Sequence, residues 1–493
     1  MKKIFTLFAI VILGLSLSSC QEFLDINKDP NKPTADNMTN DMVFPAAELT
    51  LASVYGDYLR IVGGMFSQHY AQDFGTSNYL GYSKFDMYSN QSSGFYTRIY
   101  TQCLSDLQYI IGKATEEEAW GTVLAATTLK AFAFQVLVDA YGEIPYSEAF
   151  DPSNTAPKYD EGAEIYAGIL KELDDALAQA SDSSPVAFNF LFGSSNAAPW
   201  IKFANALKLK IYMRESDYTN VSSQVAALVS ANNFPADDVA FAGIWSDEVG
   251  KANPFYQEEF ATYFGSTQVN ICLNLALYKV MEEDGRLPAF WQRNTSGAFT
   301  GGVSGSNFST SQSYKAAYFC RPNAKYNDPV TLISKAEVEF FLAEYEARYG
   351  SDASAKAHYE AAVEASFASA GVSGADEVLA AYPWSKADYK RVIGIQKWVA
   401  LSNGSNFEAW CELRRLGYPA MGSVTGDKIY NVNTDAYDQG ALVAGTLYTP
   451  IQYNTDVGAG KILQRFPYAE SSITRNANAP AVKKNSEKVF WVK

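Results

Sequence analysis

Two helical patterns separated by a glycine fill the segment 336–362. Residues 336–345 read AEVEFFLAEY, Gly350 follows, and residues 355–362 read AKAHYEAA. Small residues recur where two helices must approach each other, and aromatic residues fill the gaps between them. A helix with such a face is stable only when that face is buried against a neighbour. The chain is therefore predicted to fold into packed helix pairs.

Apolar residues at helical spacing recur through most of the chain. Residues 118–141 and 163–180 each place large apolar side chains on one face, as helices that pack on a core do. We predict an all-α dominated fold, with tetratricopeptide-like helix-pair repeats and long irregular loops in a single body over residues 41–493. Helices are expected at about 45–69, 96–114, 118–141, 163–180, 199–214, 219–232, 270–284, 332–349, 353–370, 386–402 and 405–415.

The first twenty residues have the pattern of a targeting segment. Two lysines precede an apolar run from Ile4 to Leu17, which ends in the sequence LSSC. A charged start, a short apolar run and a small-residue end are typical of a secretory signal peptide. Because LSSC also resembles the bacterial lipobox, residues 1–19 are predicted to be a lipoprotein signal peptide. Cys20 would be lipidated and residues 20–40 would form the tether; the alternative is a plain signal peptide with a coincidental cysteine.

The charge balance and the histidine count exclude two classes of site. The 493 residues contain 39 Lys plus Arg against 54 Asp plus Glu, a formal net charge of −15. A surface this acidic repels a polyanion, so no nucleic acid partner is expected. His69 and His358 are too few for a His-rich zinc site. Residues 25–29 imitate the start of a calcium loop, but Pro30 stands where the sharp turn needs glycine, so neither a metal nor a cofactor is predicted.

Four cysteines follow Cys20 in the sequence: Cys103, Cys272, Cys320 and Cys411. They are far apart, form no C-x-x-C pair and stand among apolar or aromatic residues. Their density is too low for a disulfide scaffold. Buried free thiols are the prediction, and one disulfide in an oxidising compartment is the alternative.

Two segments without helical pattern, 72–95 and 288–321, combine aromatic residues with Gly, Ser, Thr and Asn. Carbohydrate-binding surfaces use this mixture, because an aromatic ring stacks on the apolar face of a sugar while amides and hydroxyls bind its oxygens. Adaptable protein-binding surfaces use it too. The alternative is that the rings only anchor the loops to the helical body. The candidate stacking residues are Tyr79, Tyr82, Tyr88, Trp291 and Tyr314.

The sequence offers no catalytic motif. It contains no GxxxxGK, no GxGxxG after a strand, no GxSxG and no HExxH. Acidic pairs at 174–175, 258–259 and 282–283 could in principle flank a glycosidic bond. They are expected instead on solvated helix faces. No catalytic residue and no enzyme activity are predicted.

A series of short motifs resembles one protein family in content and order. The run LVDAYGEIPYSEA at 137–149 looks like the hallmark of the SusD/RagB family, in its SusD-like branch. Each motif is weak alone, but together they span nearly the whole chain. The other matching blocks are FLDIN-x-DPN at 23–31, WIKFANALKL at 200–209 with Met213-Arg214, Asn253-Pro254, the helix at 336–344, QKW at 396–398 with EAW at 408–410 and Arg414-Arg415, and RFPY at 465–468 with Glu470 and Asn476.

The resemblance implies a nutrient-binding outer-membrane lipoprotein of Bacteroidetes, held on the extracellular face by acylated Cys20. Such a protein caps a SusC-like TonB-dependent β-barrel transporter and delivers an oligosaccharide, or in some members a peptide, into it. The resemblance also implies that it has no catalytic activity. Gly193-Ser194 and Asp284-Gly285 depart from the family's usual Gly-Asp and Asp-Pro, so loop contacts with ligand are expected to differ. A surface enzyme or a stand-alone adaptor are the remaining alternatives.

Overall fold

Helices form most of the regular structure of this chain. The computed structural model describes residues 38–72, 77–261, 270–305, 320–431, 433–434 and 436–493. Short π-helical stretches at Tyr55–Leu59, Ile99–Leu104 and Gln257–Ala261 continue helices, and 3-10 turns lie at Lys386–Asp388 and Gln439–Ala441. The α-helices are α1 Asn40–Val54, α2 Arg60–Phe66, α3 Leu80–Ser83, α4 Ser93–Arg98, α5 Ser105–Glu116, α6 Trp120–Tyr141, α7 Gly162–Gln179, α8 Ala198–Glu215, α9 Ser222–Ala231, α10 Pro254–Tyr256, α11 Leu275–Met281, α12 Leu287–Phe290, α13 Lys335–Tyr349, α14 Asp352–Ala370, α15 Ala375–Ala381, α16 Tyr389–Ala400, α17 Asn406–Leu416, α18 Gly426–Ile429 and α19 Glu470–Ile473.

The strands are short and pair only two by two within the described residues. Antiparallel pairs join β1 to β3, β2 to β4 and β6 to β7, and a parallel pair joins β5 to β8. These strand pairs join segments that are distant in sequence and do not form a core sheet. The prediction of an all-α dominated fold is therefore confirmed. The strands are β1 Tyr70–Gln72, β2 Val239–Phe241, β3 Ile271–Leu273, β4 Val330–Ile333, β5 Ala420–Thr425, β6 Tyr430–Asn431, β7 Ala436–Tyr437 and β8 Thr446–Thr449.

Helices α13 and α14 form the hairpin that the sequence predicts. α13 begins after Ser334, whose hydroxyl accepts the backbone N–H of Glu337 at 3.1 Å, and α14 begins after Ser351, which caps in the same way. These caps satisfy N–H groups that have no partner inside the helix. α14 ends at Gly371, whose φ of 69° is left-handed, a conformation that glycine adopts without strain.

Helix α6 is the centre of the core. Every residue from Gly121 to Tyr141 is buried, and α5, α7 and α8 pack around it. Among the described residues it is the one helix long and apolar enough to cross a membrane, yet its most apolar stretch lies entirely inside the protein. Its apolar character is therefore that of a core helix.

Two expected helices begin later than predicted. The segment expected as a helix at 270–284 starts as β3, and the one expected at 332–349 starts at the end of β4. In the first case Ile271–Leu273 pairs with Tyr70–Gln72, and the Asn274 side chain then accepts the N–H of Ala276 at 3.0 Å to begin α11. Pairing with a strand about two hundred residues away overrides the local helical pattern.

One apolar cluster extends from Val43 to Trp491, and a smaller one lies among α13 to α17. Cys103, Cys272, Cys320 and Cys411 are buried free thiols, which confirms the prediction for these four residues. Cys20 lies outside the described residues, as do residues 1–19 and most of the tether.

A set of buried charged side chains, named here the ion-pair cluster, joins α6, α8, α13, α16 and α17. Burial alone would raise the pKa of Glu412, but the guanidinium of Arg415 and the ammonium of Lys397 hold it well below its usual range. Buried charges persist only when they are paired in this way. The members are Asp139, Lys210, Arg214, Glu337, Glu344, Arg348, Lys397, Glu408, Glu412 and Arg415.

Candidate ligand-binding site

Two exposed tyrosine rings line one open depression of about 560 Å³. The side chain of Tyr88 is 60% exposed and that of Tyr453 is 38% exposed. The segments 86–89, 453–456 and 482–485 supply most of the depression's walls. Single exposed rings are ordinary on a folded surface, so the feature that marks this depression is that two exposed rings share it. We name this depression the tyrosine site.

Asp86 connects the two segments that carry the rings. The Tyr88 hydroxyl donates to Asp86 Oδ2 at 2.7 Å, and the Asn454 amide donates to Asp86 Oδ1 at 2.8 Å. The hydrogen bond to Asp86 raises the pKa of Tyr88, so the phenol stays neutral. Because both carboxylate oxygens are engaged, Asp86 holds the Tyr88 ring beside the 453–456 segment.

The buried amide of Asn485 joins the third wall to the other two. Its Oδ1 accepts the N–H of Met87 at 3.3 Å and the Asn454 amide at 3.2 Å, while its Nδ2 donates to the carbonyl of Arg465 at 3.3 Å. One side chain thus bonds to three segments that are distant in sequence. A site held by such bonds is organised before a ligand arrives, which lowers the entropy cost of binding.

The charges at the tyrosine site are balanced. Lys484 Nζ lies 3.3 Å from Asp456 Oδ1, and Lys483 Nζ lies 3.4 Å from Glu143 Oε1. Each ammonium carries three protons, so each lysine retains donors for a ligand oxygen. Two rings with apolar faces beside such donors suit a flat molecule that has one apolar face and several hydroxyl groups.

The structure places the predicted stacking residues in different surroundings. Tyr88 lies in the tyrosine site, whereas Tyr82 is 8% exposed and Trp291 is 2% exposed. Tyr82 packs edge-on against Phe66 and Trp291 against Tyr70, so these two rings have no open face for a sugar. The candidate site therefore keeps Tyr88 and excludes Tyr82 and Trp291. Tyr314 lies outside the described residues.

Tyr79 binds a buried carboxylate instead of lining the tyrosine site. Its ring stacks on Tyr82 with centroids 6.2 Å apart, and its hydroxyl donates to Glu259 Oε1. The carboxylate of Glu259 is 2% exposed, so the expectation that the pair 258–259 lies on a solvated helix face is wrong for Glu259. The Tyr79 hydroxyl compensates part of the cost of this burial.

Burial raises the pKa of Glu259 to about 7, although the Tyr79 hydroxyl lowers it. The unfolded chain ionises near 4.5, so this residue's contribution to stability is complete below pH 4.5 and is lost as the pH rises to 7. Relative to Glu259→Gln, the wild type should lose roughly 2–3 kcal/mol of unfolding free energy over that interval. Urea unfolding at pH 5 and pH 8 measures this. A pH-independent gap for Glu259→Gln contradicts the assignment.

Sequence reasoning did not include Tyr453, Lys483 and Asn485 in the site. They lie more than 360 residues from Tyr88 along the chain, in a region without strong periodicity, and only the tertiary fold brings them together. The signal that could have found them is the sequence QYNTD at 452–456, an aromatic residue among turn-forming polar residues like those of the segment 72–95.

A second group of side chains looks like a metal centre by distance alone. Ligand atoms of Asp139, Glu408 and Cys411 lie within 4.8 Å of one another. Arg214 already supplies the positive charge there, because its Nε lies 3.4 Å from Asp139 Oδ2 and its Nη2 bonds to Glu408. Asp139 and Glu408 therefore act here as members of the ion-pair cluster, with Cys411 beside them. His358, in contrast, lies with its Nδ1 2.7 Å from Glu339 on the surface of α14, as a structural histidine does.

Solved structures with this fold come from SusD homologues. A SusD homologue from Bacteroides uniformis superposes with a TM-score of 0.73 at 22% identity, covering 91% of this chain and 98% of that one. A protein described as chitin-binding gives a TM-score of 0.71 at 21% identity over 91% and 99% of the two chains. A chitin-binding SusD homologue from Flavobacterium johnsoniae gives 0.69 at 18% identity over 92% and 96%. At these identities the likeness is one of fold.

Among curated proteins, none matches the chain. The family model for SusD-like proteins, described as "Starch-binding associating with outer membrane", matches residues 31–436. That match covers most of the chain and includes the 137–149 motif, α8 and the helices of the ion-pair cluster. The helical fold and this match agree with the motif order in the sequence, and the chain therefore belongs to the SusD-like family.

Proposed function

We propose that the protein is a cell-surface glycan-binding lipoprotein and that the tyrosine site binds the oligosaccharide. The observation that carries the proposal is the pair of exposed rings of Tyr88 and Tyr453 on one depression whose walls are fixed by Asp86 and Asn485. Membership of the SusD-like family and the two chitin-binding structures of the same fold support a glycan as the ligand.

In this proposal the tyrosine rings provide the stacking contacts and the lysines provide the hydrogen bonds. The apolar face of a pyranose ring stacks on an exposed phenol ring, and its hydroxyls accept from the ammonium groups of Lys483 and Lys484. The hydroxyl of Tyr88 is already bonded to Asp86, so this residue contributes its ring face and not its hydroxyl. Binding of this kind is moderate, because stacking and exposed hydrogen bonds each contribute only about 1 kcal/mol.

Moderate binding suits a protein that hands its cargo on. In the proposal, acylated Cys20 anchors the protein on the extracellular face of the outer membrane, where it caps a SusC-like TonB-dependent β-barrel transporter and delivers nutrient to it. The LSSC motif at 17–20 and the family match support this. Co-purification of a β-barrel with the acylated chain from outer membranes tests it, and recovery of the chain alone counts against a stable complex.

Replacing both Tyr88 and Tyr453 by alanine should weaken oligosaccharide binding about 10- to 100-fold, because each lost ring contact costs about 0.5–1.5 kcal/mol. Calorimetric titration of the protein with separate pools of oligosaccharides and peptides measures the effect. The melting temperature should not change, since both rings are exposed. Tyr218→Ala is the matched control, because Tyr218 is 58% exposed but lies against Phe490 and not in the site.

The same titrations separate the alternatives. If only the peptide pool gives heat on titration, the cargo of the same proposed transporter lid is a peptide and not a glycan. Unchanged glycan binding in the double variant would remove the tyrosine site from the proposal. Turnover of a glycan that is lost on changing an acidic residue would favour a surface enzyme instead.

A further inference from the structure

A second cavity, of about 450 Å³, lies between the end of α17, the β5–β8 pair and the last residues of the chain. Its size is typical of a pocket for a small molecule. Six aliphatic side chains form its wall, and no aromatic side chain is among the residues that line it. The wall residues are Leu413, Met421, Leu447, Val457, Ile462 and Val492.

The charged side chains of this cavity are all positive. Arg414, Lys461, Lys488 and Lys493 line it, whereas no Asp or Glu side chain does so in the described part of the chain. The whole protein carries a net charge of −15, so this local excess of positive charge is opposite to the rest of the surface. Lys461 has no carboxylate partner among the described residues, whereas Lys488 Nζ donates to the main-chain oxygen of Lys493 and Lys493 Nζ lies 4.0 Å from Asp217 Oδ1. The charge of Lys461 and the remaining protons of the Lys488 ammonium can still attract an anion.

Arg414 is a cation held in a fixed position at the wall of the cavity. It is 6% exposed, and its guanidinium stacks on Trp410 at 3.5 Å from the ring centroid. Its Nη1 donates to the carbonyl of Gln464 at 2.6 Å and its Nη2 to the carbonyl of Asp139 at 2.9 Å. Burial lowers the pKa of this guanidinium, although the nearby Cys411 and Asp139 side chains oppose the shift. An anion in the cavity would add a negative charge that favours the charged form of Arg414.

We propose that this cavity binds an amphipathic anion with an aliphatic body, of the alkyl carboxylate class. The alkyl chain would lie on the six aliphatic side chains, where burial of each CH₂ contributes about 0.8 kcal/mol. The carboxylate would lie between Lys461 and Lys488, near Arg414. The aliphatic wall argues against a sugar here, since sugar sites rely on aromatic faces. The cavity is separate from the tyrosine site, although neighbouring residues of segments 453–462 and 482–488 contribute to both.

Equilibrium dialysis of the protein against decanoate, 1-decanol and acetate tests the proposal. Decanoate should bind saturably, 1-decanol at least about 10-fold more weakly, and acetate not measurably. Lys461→Gln with Lys488→Gln should weaken decanoate binding at least about 10-fold, without effect on glycan binding. The matched control changes the exposed Lys171 and Lys251 to Gln, which alters the net charge equally but leaves the cavity intact.

A second variant tests the wall independently of the charges. Met421→Trp should fill part of the cavity and abolish decanoate binding, with an unchanged melting temperature because Met421 is only half-buried. Absence of saturable decanoate binding to the wild type overturns the proposal. So does equal binding by wild type and the Lys461→Gln/Lys488→Gln variant, or acetate binding as tight as decanoate, which would leave only an anion site.

Discussion

Replacing Arg214 by methionine should lower the free energy of unfolding by about 4 kcal/mol. The side chain of Arg214 is fully buried in the ion-pair cluster. Its Nη1 lies 2.7 Å from Glu412 Oε1, its Nη2 bonds to Glu408, and its Nε lies 3.4 Å from Asp139 Oδ2. The substitution removes one positive charge and leaves three carboxylates that were paired with it.

The cost arises from the carboxylates that remain. Lys210 still contacts Glu408, and Arg415 and Lys397 still contact Glu412. Asp139 loses its ion pair and keeps only hydrogen bonds from Gln135 and Tyr166 and the weaker influence of Arg414. A carboxylate without a counter-charge in the interior is strongly destabilising, whereas removing a whole buried pair is often nearly neutral. The expected loss is therefore a property of the broken pair and not of the guanidinium alone.

Urea unfolding of three variants measures these contributions. Arg214→Met should be the least stable, and adding Asp139→Asn to it should recover at least about 1 kcal/mol, since the two residues are coupled. Lys171→Met is the matched control, because Lys171 pairs with Asp175 on the exposed surface of α7, where an ion pair contributes about 0–1 kcal/mol. An equal effect of Arg214→Met and Lys171→Met would show that the cluster contributes no more than a surface pair.

The helix pairs were predictable because their signals are local. Ser334 and Ser351 begin α13 and α14, Gly371 ends α14, and the apolar faces between them have helical spacing. The motif order in the sequence also predicted the family. Helix caps and the periodicity of apolar residues depend on residues that are close in sequence. They can therefore be recognised without knowledge of the tertiary fold.

Non-local pairing explains what the sequence did not predict. Strand β3 replaces the expected start of a helix because its partner β1 lies about two hundred residues earlier. Tyr82 and Trp291 carry the same local pattern as Tyr88, yet they are buried while Tyr88 is exposed. Burial depends on which segment the tertiary fold places over a ring, and composition cannot distinguish a stacking residue from an anchoring one.

The tyrosine site could not be predicted from the sequence for the same reason. Its two rings come from parts of the chain that share no sequence neighbourhood, and Asn485 joins both to a third segment. The ion-pair cluster is a contrasting case, because most of its members, all except Lys210, Arg348 and Glu412, lie within motifs that the resemblance singled out. The sequence could mark those residues but could not show that they contact one another across α6, α8, α13, α16 and α17.

Gly63→Ala should destabilise the protein by about 3 kcal/mol, at the upper end of the cost of overpacking a core. Helix α2 packs against α17, and a Cβ on Gly63 would lie 2.4 Å from the Cα and the backbone N of Phe407. Backbone atoms cannot move aside as a flexible side chain can. The methyl group would therefore force the two helices apart at the centre of the core, next to the aromatic contacts of Phe407 with Trp410 and Phe466.

Gly112→Ala is the matched control, and its expected effect has the opposite sign. Gly112 lies in α5, and a Cβ there would meet nothing within 4 Å. Alanine favours the helix and restricts the unfolded chain, so this variant should gain about 0.5–1 kcal/mol. Thermal and urea unfolding of both variants measure the contrast. A stabilising effect of Gly63→Ala would contradict this prediction. It would mean that α2 and α17 are farther apart than the contact at Gly63 indicates.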